Sequence, residues 1–157
     1  MATVSEVGEL LIQKQQTITS AESLTAGLFA SKLAEVSGIS AALKGAFVTY
    51  SPEMKEALIG VPHILIQRHG VVSAQVAEAM ARGAKYQTKA DWAVSFTGVA
   101  GPDELEGQPA GTVFIAIIDD HDEVHIAQGH FAGNRQVVRQ QSVQHALDEL
   151  TNLLSKN

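Results

Sequence analysis

The chain has 157 residues, of which 45% are hydrophobic and none is cysteine; this suits one core of ordinary size, so a single domain over residues 1–157 is expected. The lack of cysteine excludes disulfides, thiolate metal sites and a cysteine nucleophile, leaving oxygen or amine groups for any nucleophilic chemistry. A formal charge of −6, from 17 acidic and 11 basic side chains, argues against a nonspecific grip on nucleic acid but leaves room for a locally held small anion.

Residues 1–10 carry Glu6 and Glu9 without a basic start or an apolar block, so no export signal is read there. No apolar run is long enough to span a bilayer, and a cytoplasmic protein with no membrane partner is expected. Val4, Val7, Leu10 and Leu11 recur at helical spacing and predict a short amphipathic helix over residues 4–15 that packs on a sheet. Residues 17–21 read as a strand, followed by a small-residue turn and a helix over 25–36. Residues 46–50 form a second strand, and Ser51-Pro52 opens a short helix over 53–59 with Lys55 one turn in. Ser73 caps a longer helix from 74 to about 86, with Val76, Ala77, Met80 and Ala84 on one face. Residues 92–96 are a third strand. Residues 112–118 and 124–131 flank the polar Asp119-Asp120-His121-Asp122 as a hairpin, and a final helix runs from about 135 to 154.

Strands alternating with helices, then a hairpin, give an α/β fold: a three-layer α/β/α sandwich whose mixed sheet contains a C-terminal antiparallel hairpin. The longest stretch without periodicity, residues 97–111, is where binding residues are expected to gather.

Four segments supply polar groups at element ends, where open α/β sheets place ligands. In Ala21-Glu22-Ser23-Leu24-Thr25-Ala26-Gly27, Ser23 sits between strand and helix, where its hydroxyl could attack a carbonyl; taken alone, the segment is better explained as a plain helix cap. Tyr50-Ser51-Pro52-Glu53-Met54-Lys55 brings a phenol and an amine to a second junction, and Lys55 can act as a base only if burial lowers its pKa. A core tyrosine and a solvated lysine are the alternative. Thr97-Gly98-Val99-Ala100-Gly101-Pro102 lets backbone approach a ligand but is neither a Walker loop nor a dinucleotide fingerprint. Arg135 and Arg139 lie one turn apart near a helix start, where they suit a phosphate or, alternatively, pair with carboxylates. His121, His125 and His130 with the neighbouring aspartates are read as a polar hairpin tip, not as a metal site, because an odd spacing turns His125 and His130 to opposite faces.

Together these segments resemble the C-terminal domain of the CinA family. Residues 21–27 are similar to that family's Ala-Glu-Ser-Cys-Thr-Gly-Gly, 45–51 to Gly-x-Phe-Val-Thr-Tyr-Ser, and 98–102 to Gly-Ile-Ala-Gly-Pro. Gly111-Thr112-Val113 and Phe131-x-Gly-x-Arg135 complete the order, and Leu24, Ala26 and the 103–109 loop, with Gln108 in place of a common lysine, depart from it. The resemblance implies an amidohydrolase that converts nicotinamide mononucleotide to nicotinate mononucleotide and ammonia, without cofactor or metal. It also implies a homo-oligomer, a dimer or larger, with the hairpin strands as contact surface. Ser23 would be the nucleophile, Lys55 its proton acceptor and Tyr50 a support for the proton transfer. Thr97 would help position the substrate, and Arg135 would hold its phosphate. From the residues themselves, Gly98 and Gly101 let the backbone approach that substrate, Arg139 places a second guanidinium near Arg135, and backbone N–H groups near Thr25 and Ala26, at the helix start after Ser23, are expected on geometric grounds to receive the oxyanion. A paralogue that binds the nucleotide without turning it over is the alternative. Full-length relatives carry a further N-terminal domain, for which the residues before Ser23 leave no room, so that domain's hydrolysis of other nucleotides is not expected here.

Overall fold

The computed structural model describes residues 1–156. Its strands are β1 (Ile18–Glu22), β2 (Leu43–Val48), β3 (Trp92–Gly98), β4 (Thr112–Ile118) and β5 (Val124–His130). Its α-helices are α1 (Val4–Lys14), α2 (Leu28–Leu33), α3 (Pro52–Ile59), α4 (His63–His69), α5 (Ala74–Thr88) and α6 (Arg135–Ser155). The sheet order is β2-β1-β3-β4-β5, parallel across β2, β1 and β3 and antiparallel from β3 through β5. This is the mixed sheet and C-terminal hairpin that the sequence predicts. Among the described residues no helix is long and apolar enough to cross a membrane.

The two faces of the sheet differ in bulk, and β3 shows why. Trp92, Val94 and Phe96 point into a core cluster with Val7 and Leu11 of α1, Phe29 and Leu33 of α2, and Val138, Ala146 and Leu150 of α6. Ala93, between them on the opposite face, packs with Ala77 and Ala81 of α5 and Ala116 of β4. Small residues on both sides let α5 lie close to the sheet, and Ser95 satisfies its buried hydroxyl by donating to the Ala77 carbonyl at 2.5 Å. Alternation of large and small side chains thus sets the spacing of the helix layers.

Several boundaries differ from the expectation, each for a local reason. The helix expected over 25–36 begins at Leu28, because residues 23–27 are held in a tight turn described below, and it ends at Leu33. Helix α4 has no counterpart in the sequence reading: seven residues give no full stripe, and Pro62 supplies no side-chain cap. Leu65 and Ile66 nevertheless pack against Ile59, Val76 and Met80. The starts after Ser51 and Ser73 are as expected, each hydroxyl accepting a backbone N–H at 3.2 Å from Met54 and Val76.

Candidate active site

The parallel register brings Glu22, Val48 and Phe96 level with one another, so β1, β2 and β3 end at the same edge. The segments following these ends meet over a cleft of about 370 Å³ lined by Ser23, Tyr50, Lys55, Thr97, Gly101 and Arg135, among others. Four segments far apart in sequence thereby supply one site.

The turn that carries Ser23 is built around a side chain the sequence reading passed over. Glu22 is fully buried. Its Oε1 accepts from the Thr25 hydroxyl at 2.8 Å, Gly27 N at 3.1 Å and Phe29 N at 3.0 Å. Its Oε2 accepts from the Ser20 hydroxyl at 2.9 Å and Ala30 N at 3.1 Å. A carboxylate collecting the first N–H groups of a helix is favoured by both hydrogen bonding and the helix dipole. An acidic residue at a strand end just before a helix was the signal available for it.

Arg139 holds the same turn from the other side, donating from Nε to Leu24 O at 3.0 Å and from Nη2 to Thr25 O at 2.9 Å. It is therefore not paired with Arg135 around an anion, as expected, but braces the loop. Thr25 is likewise corrected: its hydroxyl is buried on Glu22, so the side chain does not face a substrate. The Ala26 N–H is spent on Ser23 O at 3.0 Å, which removes it as an oxyanion donor. The N–H groups of Leu24 and Thr25 make no hydrogen bond among the described residues.

Lys55 is 1% exposed and donates from Nζ to Ser23 Oγ at 3.0 Å and to Thr49 O at 2.6 Å. Burial lowers its pKa from 10.5 to about 8, against the opposing influence of the Glu106 carboxylate. A minor fraction of Lys55 is then neutral at pH 7, rising to about half at pH 8, and that form can accept the hydroxyl proton of Ser23 through the contact already formed.

Tyr50 is half exposed, and its phenol accepts from Arg135 Nη2 at 2.6 Å; it makes no hydrogen bond to Ser23 or Lys55, unlike the role expected for it in proton transfer. Arg135 Nη1 donates to Gly101 O at 2.7 Å, so this guanidinium joins the Tyr50 and glycine-loop sides of the cleft. Thr97 is buried and donates to Val71 O at 2.7 Å. Gly98 lies where a Cβ would stand 2.5 Å from Thr112 O, which explains the glycine by packing alone.

The histidines stand apart from this cleft. At the hairpin tip, ligand atoms of Asp119, Glu123 and His125 lie within 4.8 Å of one another. Asp119 already accepts the His121 and Glu123 N–H groups at 2.8 and 3.0 Å and meets His125 Nε2 at 2.8 Å, the bonding of a turn-closing aspartate.

A family model described as the CinA C-terminal domain matches residues 1–154. The chain belongs to this family. It is 50% identical over 154 residues to a Lactiplantibacillus plantarum protein bearing the name competence-damage inducible, covering 98% of this chain and 37% of that one. A Streptococcus agalactiae protein of the same name is 51% identical over 148 residues, covering 94% and 35%. The chain thus spans little more than a third of the length of these relatives. Solved CinA superfamily proteins have the same fold: one from Klebsiella pneumoniae gives a TM-score of 0.94 at 30% identity, covering 98% of this chain and 96% of that one. One from Escherichia coli gives 0.92 at 34% identity, covering 96% and 87%.

Within the CinA family pattern, the two departures beside Ser23 are both accommodated. Leu24 is buried and joins the core cluster with Phe29 and Phe96. Ala26 adopts φ 49°, the left-handed conformation a glycine would take more easily, and its methyl is exposed, so it obstructs nothing. Ala26→Gly should stabilise the protein by up to about 1 kcal/mol in thermal or urea unfolding. Glu22→Gln turns an amide NH2 toward backbone donors; it should cost on the order of 3 kcal/mol, read by the same unfolding curves.

Proposed function

We propose that this CinA-family domain hydrolyses the carboxamide of nicotinamide mononucleotide, releasing nicotinate mononucleotide and ammonia for pyridine nucleotide recycling. The observation that carries the reading is the Ser23–Lys55 contact: a nearly buried hydroxyl 3.0 Å from a buried amine whose pKa is lowered to about 8. An oxygen nucleophile with an amine base, and no thiol anywhere in the chain, suits acyl transfer from an amide. The family resemblance at residues 21–27, 45–51 and 98–102 supports the substrate.

In this reading neutral Lys55 accepts the Ser23 proton as Oγ attacks the carboxamide carbon. The oxyanion forms beside the N–H of Leu24, the residue after Ser23; Leu24 lines the cleft, and this N–H makes no other hydrogen bond among the described residues. The Lys55 ammonium then returns its proton to the leaving nitrogen, ammonia departs, and an ester to Ser23 remains. Water, deprotonated by Lys55, attacks that ester, and Ser23 Oγ is reprotonated as the carboxylate leaves. Arg135 meets the phosphate at the mouth of the cleft, with Tyr50 fixing its orientation, and Thr97 shapes the wall beside the ring. Arg139 acts on the loop alone. The reading includes a cytoplasmic setting, where the product re-enters pyridine nucleotide synthesis.

Purified protein incubated with nicotinamide mononucleotide should yield ammonia and nicotinate mononucleotide in equal amounts. Ser23→Ala should lose turnover altogether, and Lys55→Met should lower kcat by about 10²–10⁴. Undiminished ammonia release by Ser23→Ala would overturn the assignment. Because Lys55 must be neutral to act as base, kcat/KM should rise about tenfold per pH unit below its pKa of about 8 and level off above it. A flat profile between pH 6 and 9 contradicts the role of Lys55.

A further inference from the structure

Residues 103–109 form a tight hairpin. Leu105 and Gln108 exchange both backbone hydrogen bonds, at 3.1 and 2.9 Å, around Glu106 and Gly107 at φ 54° and 75°. Two left-handed central residues give the turn whose twist matches a two-residue hairpin. From this tip the Glu106 carboxylate reaches the turn before α5: Oε2 accepts Val71 N–H and Oε1 accepts Val72 N–H, both at 3.0 Å. Gln108 Nε2 adds a bond to Val72 O at 2.7 Å. Gly70 completes the seat, since a Cβ there would stand 2.6 Å from Glu106 Oε1.

Both partners in this seat border the cleft. Val71 lines it and accepts the Thr97 hydroxyl at 2.7 Å, and Leu105 lines it from the hairpin. With Leu24 and Val99 they give the cleft an apolar side next to Ser23, of the character that suits an aromatic ring. Glu106 itself is exposed and touches no atom of the Ser23–Lys55 pair. Loss of its contacts would loosen this side without opening the buried core.

We propose that Glu106 is a positioning residue: by seating the 103–109 hairpin on the 70–72 turn, it fixes the apolar side of the cleft against which the aromatic ring of a carboxamide substrate lies. The substrate it names rests on the deamidase reading; the seat does not. Glu106→Ala removes both acceptors, and Glu106→Gln keeps one.

Kinetics are best measured at about pH 9, above the Lys55 pKa of about 8, where loss of the Glu106 charge no longer changes the proton state of Lys55. For nicotinamide mononucleotide, Glu106→Ala should raise KM about tenfold or more with kcat within about threefold, and Glu106→Gln should fall between it and the parent. Hydrogen exchange at the Val71 and Val72 amides should quicken in the same order. Unchanged KM in Glu106→Ala, or a fall in kcat alone that tracks a lost folded fraction, overturns the proposal. If the parent does not turn the nucleotide over, its equilibrium binding replaces KM. Weaker binding by Glu106→Ala then keeps the seat while the deamidase reading falls, and equal, measurable binding discards both. If neither protein binds, the deamidase reading falls, and unchanged exchange at Val71 and Val72 discards the seat.

Discussion

The organising constraint of this molecule is the buried Glu22 carboxylate. A strand that runs straight into a helix leaves a bundle of N–H groups at the junction without intrahelical partners, which a capping side chain, water or a ligand must satisfy. Here Glu22 takes three of those N–H groups and two hydroxyls. Arg139 takes two carbonyls of the same turn. An acid gathering donors and a base gathering acceptors clamp the loop from opposite sides. Ser23 is therefore held in place by the Glu22 and Arg139 side chains acting on its loop. Preorganisation of this kind is what makes fixed dipoles effective against a developing charge.

The rest of the site depends on how close the helices approach the sheet. Alanines on α5 and β3 let that helix settle against the sheet, and α3 packs in turn beside α5 through Ile59 and Met80. Lys55 projects from α3 into the gap, and the length of its side chain spans from the helix to Ser23 and Thr49. An unbranched residue of that reach, with an amine at its end, fills a position that would otherwise belong to the core.

What could be read from the sequence follows from how local each signal is. The strand over Thr112–Ile118 and the helix start at Ser51-Pro52 carry their information within a few residues, and the structure agrees with both. The four polar segments do converge on one cleft. The partners within it were less legible. Arg135 and Arg139 look equivalent in a helical register, yet one faces the cleft and the other the loop, a distinction set by where residues 24 and 25 pass in space. Helix α4 was too short for a periodic pattern, and the bonds from Glu106 to Val71 and Val72 join residues about 35 positions apart. No local rule reports such a contact.

The burial of Lys55 also couples folding to protons. In the unfolded chain this amine holds its proton up to about pH 10.5, whereas in the folded chain it gives it up near 8. Between those values the unfolded state binds the extra proton, so stability grows as the solution becomes more alkaline across that window, by roughly 3 kcal/mol from this residue. At neutral pH the fold lacks that increment. The buried amine thus leaves the folded chain less stable at neutral pH than its packing alone would make it, and an apolar residue in place of the lysine would recover that stability.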